Sequence, residues 1–223
     1  MAQQRAVLRQ DDELLRSERE LRAEGFCWIA GVDEAGRGPL AGVVSAGAVV
    51  LPWDDKGIPG VFDSKQLSAA AREELFEELQ SLEGVDIGIG IADVAEIDQL
   101  NILKAAHLAM FRAVAQLKKV DHVLVDGLPV RGFTVPARNL VKGDARSASI
   151  AAASIVAKVV RDRMMMQADA EYPEYGFASH KGYGTAEHLE ALRKYGPCPL
   201  HRRSFRPVAE LLPDAPVQQQ LEF

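Results

Sequence analysis

The chain has 223 residues, 48% of them hydrophobic and 26% charged, with a formal net charge of −6; this is an ordinary globular composition with length for one sizeable core. Its two cysteines, Cys27 and Cys198, exclude a disulfide framework and a zinc-type spacing, and read as free thiols of a reducing cytoplasm. The first twenty residues carry charge throughout and do not read as a secretion signal, and the longest apolar stretch, Ala148 to Val160, is interrupted by Lys158 and falls short of the roughly 20 residues that span a bilayer.

In chain order, residues 8–24 are helix-prone and Gly25 supplies a stop. Cys27 to Val32 is an apolar run that predicts a buried strand, with Cys27 as a small core residue. A glycine-punctuated loop from Gly31 to Gly42 follows, and Val43 to Leu51 reads as a second strand in a hairpin with the first. Ser68 is placed to cap a helix running to Leu82. Val85 to Ile91 alternates and predicts a strand. From Ile97 the apolar residues Leu100, Leu103, Leu108, Phe111, Val114 and Leu117 fall near helical spacing and predict one long helix. Val120 to Val125 reads as a strand ending at Asp126-Gly127, with a short strand expected at Phe133 to Val135. Ser147 to Met166 predicts a long Ala-rich helix, and Thr185 caps a helix ending near Tyr195-Gly196. The alternation, opened by a hairpin, predicts an α/β fold with a mixed sheet flanked by helices.

Charge is unevenly placed. Residues 131–207 hold 13 Lys+Arg against 7 Asp+Glu, whereas residues 1–130 hold 13 against 22. A basic second half suits phosphate contacts, although ordinary scatter of charge would read the same way.

Gly31-Val32-Asp33-Glu34-Ala35-Gly36-Arg37-Gly38 puts two adjacent carboxylates at the end of an apolar strand. Successive strand residues point to opposite faces, so both can serve one site only if the chain turns there. The glycines favour such a turn, and bare N–H groups in such a loop can hold a phosphate or hydroxyl oxygen. Val125-Asp126-Gly127 ends another strand in Asp-Gly, and Lys142-Gly143-Asp144 precedes the Ala-rich helix. Each acid alone is as readily a turn or capping residue. Four of them at the ends of core elements make a better hypothesis. Clustered carboxylates repel until a proton or cation relieves them, and hard divalent cations prefer oxygen ligands. The histidines, at 107, 122, 180, 188 and 201, have no zinc-like spacing.

The opening motif is joined, in order, by DSKQLS at 63–68, NILKAAHLAMFRAV at 101–114, VDG at 125–127, KGD at 142–144, SIAAASIVAKVVRD at 149–162, HKGYGT at 180–185 and HRRSF at 201–205. This series resembles the bacterial ribonuclease HII family. Ala106, on a helix, stands where a small hydroxyl residue is expected. The resemblance implies a ribonuclease H-like fold with a small C-terminal helical part. It implies that Asp33, Glu34, Asp126 and Asp144 are the catalytic, metal-binding carboxylates for two Mg²⁺ or Mn²⁺ ions. Gly36, Arg37 and Gly38 would sense the ribose 2′-hydroxyl, Tyr183 would stack on the sugar at the RNA–DNA junction, and Lys65 would contact phosphate. The implied activity is hydrolysis of the RNA strand of RNA–DNA hybrids and incision on the 5′ side of ribonucleotides embedded in DNA, leaving 3′-hydroxyl and 5′-phosphate ends. Residues 1–24 would be a helical extension, 25–212 the catalytic domain with its helical subdomain from about 165, and 213–223 a flexible tail.

The tail sequence Gln218-Gln219-Gln220-Leu221-Glu222-Phe223 resembles peptides that dock on bacterial replication sliding clamps, while a frayed end without a partner is the plainer expectation. A cytoplasmic monomer with no membrane contact is expected. The alternatives are a non-catalytic hybrid-binding module, disfavoured by the four carboxylates, and another nuclease of the same fold, disfavoured by the 36–38 loop together with Tyr183.

Overall fold

A strand built of small and branched residues, all but one of them apolar, has to be covered on both faces. The computed structural model, which describes residues 14–52 and 67–212, buries all seven residues of such a strand, β2 (Val44–Val50). It lies antiparallel to β1 (Ile29–Ala35) on one side and to β3 (Asp86–Ala92) on the other. Beyond β1 run β4 (His122–Asp126) and β5 (Ala137–Leu140), each parallel to its neighbour, giving the order β3-β2-β1-β4-β5. This is the mixed α/β sheet expected from the alternation.

Two helices cover the sheet. On one face Val32, Ala46, Ala48, Val123 and Val125 pack against Ala105, Ala109 and Ala113 of α4 (Ile102–Ala115). On the other face Val49 packs against Ala152, Ala153 and Val156 of α5 (Ala148–Glu171), flanked by α2 (Ala69–Ser81), which Ser68 caps by accepting from the Ala71 N–H. Glycine in the strands lets the helix backbones close in. A Cβ on Gly90 would sit 1.9 Å from the Ala109 carbonyl oxygen, and one on Gly31 would sit 2.0 Å from the Ser149 carbonyl carbon. Before β1 runs α1 (Arg16–Ala23), whose Leu21 is fully buried.

The structure departs from the sequence reading in four places. The expected single helix from Ile97 is two helices, α3 (Val94–Leu100) and α4. Asn101 adopts φ 74°, and its side chain accepts from the N–H groups of Leu103 and Lys104, so it caps a second helix instead of continuing the first. The strand expected at Phe133 to Val135 forms at Ala137–Leu140; Phe133 instead packs edge-on against Phe111. β1 begins at Ile29, so Cys27 is exposed and is not a core residue. The Cys27 and Trp28 N–H groups are bound by the Asp121 carboxylate at 2.7 and 2.9 Å, outside the sheet. Finally, β1 runs on through Ala35, where a loop from Gly31 was expected.

The C-terminal portion, α6 (Phe177–His180), α7 (Ala186–Tyr195) and α8 (Arg206–Ala209), is held through buried histidines. His201 Nδ1 accepts from the Cys198 N–H at 3.0 Å. Its Nε2 therefore donates across 3.0 Å to Nε2 of His188, whose Nδ1 donates to the Tyr183 carbonyl at 2.8 Å. This directed chain requires both rings to be neutral. Burial, and then His188, lower the His201 imidazole to about 4, and burial lowers His188 as well. In the unfolded chain these rings take up protons below pH 6.5, whereas in the fold they resist. The stabilisation is thus full above about pH 6.5 and is lost as pH falls through about 4. Urea unfolding between pH 7 and pH 4 should show a loss of up to about 3 kcal/mol from His201, and His201→Asn should flatten that part of the profile.

Candidate active site

The register of β1 against β4 brings two of the four acids together. Val32 pairs with Val125 in parallel, and both side chains face α4. One residue on, Asp33 and Asp126 share the opposite face, on strands about 4.8 Å apart. Asp33 is buried. Burial, then the carboxyl groups of Glu34 and Asp126, push it well above the usual carboxylate range. Asp126 Oδ1 accepts from the Gly143 N–H at 2.5 Å. That bond ties β4 to the 3₁₀ turn Gly143–Ala145, in which Asp144 is buried.

Glu34 is placed differently. It pairs with Ala46 across β1–β2 and so points to the α4 face, where its Oε1 accepts from Arg37 at 3.0 Å. Asp33 and Asp126 therefore share one face, Asp144 adjoins the amide bound to Asp126, and Glu34 flanks them from the other side of its strand. Among the described residues, no group of three or more Asp, Glu, His or Cys side chains stands ready-made to hold a metal ion. The donor set nevertheless fits a hard divalent cation. It is all oxygen, and Asp33, raised first by burial and then by the Glu34 and Asp126 carboxyl groups, sits where a bound cation would favour its ionised form.

Directly after β1 the chain turns at Gly36, which takes φ +97°. Two buried arginines shape the turn. Arg202, 0% exposed, donates to the carbonyls of Gly36 (2.5 Å), Arg37 (2.9 Å), Pro39 (2.7 Å), Gly42 (3.0 Å) and Val43 (3.2 Å). Arg161, 1% exposed, donates to Val43, Ala41 and Lys181 carbonyls at 3.1, 3.1 and 2.9 Å. Burial lowers the Arg202 guanidinium to about 9, which leaves it charged at neutral pH. Gathering five carbonyls inward satisfies that cation with backbone dipoles.

Arg161 also links this loop to the segment bearing Tyr183. Leu40 N–H donates to the Gly182 carbonyl at 2.8 Å, and a Cβ on Gly38 would lie 3.6 Å from Tyr183 Cε1. Tyr183 itself is 47% exposed, so its ring stands beside the 36–38 loop with a face toward solvent. His107 of α4 lies near the same loop, its imidazole lowered by burial and then by Arg37.

Sequence reasoning assigned no role to Arg161 or Arg202. Arg161 did carry a signal: Ala157, Arg161, Met165 and Ala168 are spaced as one helical stripe, and the stripe is buried. Nothing in His-Arg-Arg-Ser-Phe marks Arg202 as the inward one. Its segment is seated by Asp98 of α3, whose carboxylate accepts from the N–H groups of Arg203 and Ser204 and from the Ser204 hydroxyl. Lys65 lies outside the described residues.

Comparison with known proteins gives the family and the fold. The family model "Ribonuclease HII" matches residues 30–208. The chain is 54% identical over 212 residues to a ribonuclease HII of Geobacillus kaustophilus, covering 95% of this chain and 80% of that one. Among solved structures, the ribonuclease H2 of Pyrococcus horikoshii superposes with TM-score 0.68 at 30% identity, covering 83% of this chain and 97% of that one. The ribonuclease HII in an Archaeoglobus fulgidus complex with PCNA superposes with TM-score 0.65 at 24% identity, covering 79% and 94%, a likeness of fold alone.

Arg202→Lys removes most of the carbonyl contacts and leaves acceptors buried without donors. We expect a loss of about 3 kcal/mol or more in stability, read by denaturant unfolding. In conditions where the variant is folded, its rate of RNA–DNA hybrid cleavage should fall, while hybrid affinity, measured by anisotropy, changes less.

Proposed function

Since the chain belongs to the ribonuclease HII family, whose members are metal-dependent endoribonucleases of RNA–DNA hybrids, we propose that it also incises 5′ of single ribonucleotides embedded in duplex DNA, leaving 3′-hydroxyl and 5′-phosphate ends. The observation carrying this reading is continuity. The strand that sets Asp33 beside Asp126 runs straight into the 36–38 loop, and that loop meets Tyr183. A reader of one sugar oxygen is thus held a few residues from the acids that would serve the cut.

In this reading Asp33, Glu34, Asp126 and Asp144 hold two divalent ions, Mg²⁺ or Mn²⁺. When bound, such ions supply the acidity that activates a water and the charge that steadies a departing 3′-oxygen. The residues of the chain perform the selection. Backbone groups of Gly36 and Gly38, in a turn whose Gly36 and Arg37 carbonyls Arg202 holds from behind, meet the 2′-hydroxyl that separates RNA from DNA. Tyr183 packs on the adjoining sugar. Arg37 holds Glu34, and Lys65 contacts a phosphate. Because the ribose must seat in the loop before the phosphate meets the acids, correct placement is coupled to the rate.

A cytoplasmic setting is part of this proposal and rests on the two free cysteines; among the described residues no helix is long and apolar enough to cross a membrane. The tail at 218–223 lies outside the described residues, and its docking on a sliding clamp is proposed from its sequence alone. Pull-down on the clamp before and after truncation at Val217 tests it, and equal binding ends the idea.

The central assay uses a duplex carrying one ribonucleotide, with and without Mg²⁺. Metal-dependent cutting at that nucleotide is expected, whereas binding without cutting would favour a non-catalytic module. Asp126→Asn should lower incision on the order of a hundred- to a thousandfold with the fold and duplex affinity retained. Full cleavage by that variant would remove Asp126 from the site.

A further inference from the structure

One buried carboxyl group has no part in the proposed chemistry and yet touches the frame that carries it. Glu18 of α1 is 6% exposed. Its Oε1 accepts from the Ser147 hydroxyl at 2.6 Å, the Ser149 hydroxyl at 2.7 Å and the Ser149 N–H at 3.1 Å. These donors open α5: Ser147 is its N-cap, and its hydroxyl oxygen accepts from the Ile150 N–H. The Ser147 N–H donates to the Gly143 carbonyl at 2.8 Å, and the Gly143 N–H donates to Asp126. A continuous run of hydrogen-bonded residues thus joins Glu18 to Ser147, to the turn holding Asp144, and to Asp126. The same helix start lies against Gly31, two residues before Asp33.

The second oxygen, Glu18 Oε2, is buried with no hydrogen-bond partner among the described residues. A buried acceptor left unmade lowers stability. A group kept in that condition points to a task other than holding the fold.

We propose that Glu18 is a positioning residue for the acidic edge. Through Ser147 and Ser149, α1, which precedes the 30–208 family match, fixes the start of α5 and the 143–145 turn so that Asp144 and Asp126 present their oxygens to a divalent cation. This rests on the reading of those two acids as metal-holding groups. Glu18 touches neither cation nor substrate and acts only through the turn.

The test uses the full chain with Glu18→Ala, Glu18→Gln and Asp144→Asn. Mn²⁺ affinity is read by electron paramagnetic resonance, amide hydrogen exchange at residues 143–149 is followed in parallel, and the melting midpoint is recorded for each variant. Below its midpoint, Glu18→Ala should weaken Mn²⁺ binding about tenfold or more, the scale of lost outer-shell support, and speed exchange in the turn. Single-turnover rate should fall with KM for the duplex unchanged. Glu18→Gln keeps an acceptor oxygen and should restore Mn²⁺ affinity. A purely structural role would lower the midpoint of Glu18→Ala with Mn²⁺ affinity unmoved, and that result overturns the proposal. If Glu18→Ala does not fold, Ser149→Ala removes one donor and should weaken Mn²⁺ binding in smaller measure; an unmoved affinity there is equally fatal. Asp144→Asn separates the two readings. Wild-type Mn²⁺ binding by that variant sinks the metal site itself, whereas loss of binding there beside a wild-type Glu18→Ala sinks only the positioning role.

Discussion

Arg202 is a cation buried among backbone carbonyls, and the site depends on that arrangement. A guanidinium removed from water must have its donors satisfied, and this one takes carbonyls from Gly36, Arg37, Pro39, Gly42 and Val43. The turn after β1 is therefore shaped from its inner side. Arg161 carries the constraint across to Lys181, next to the Gly-Tyr-Gly segment. The loop and Tyr183 thus come as one unit, and a sugar seated between them, as proposed, would meet a surface fixed before it arrives.

α5 is the member to which the rest is referred. Its start touches Gly31 and is held by Glu18, its first half packs on β2, and Arg161 lies farther along it. Asp33 lies on the α5 face of the sheet, where Ser154 offers it a side-chain hydrogen bond. A shift of this helix would therefore move the acids and the 36–38 loop together. Burial of nearly every residue on its sheet-facing side, with alanine and glycine at the contact, leaves little room for such a shift.

What was legible in the sequence was local. The hairpin, the caps at Ser68 and Thr185, and the Ala-rich helix follow from spacing and residue type, and the structure has them there; that Ser147 caps the Ala-rich helix instead of opening it is seen only in the structure. The break at Asn101 was hidden because the apolar spacing runs through it, and only the side-chain cap, made at positive φ, reveals it. Cys27 was misread because an apolar run does not say where pairing begins; Asp121, far along the chain, binds its N–H. The meeting of Asp33 and Asp126 depends on a parallel register between strands some ninety residues apart, which no local pattern encodes. The motif series named all four acids, and strand alternation set Glu34 opposite Asp33 unless the chain turned; that β1 runs on through Ala35 and sends Glu34 toward Arg37 was not legible.

The central claim is that the acidic edge formed by β1, β4 and the 143–145 turn receives divalent cations beside the sugar-sensing loop. Anomalous scattering from crystals soaked in Mn²⁺ tests it most directly. The account predicts a peak in contact with both Asp33 and Asp126. Strong Mn²⁺ peaks elsewhere on the molecule, with neither carboxyl group in contact, would contradict it.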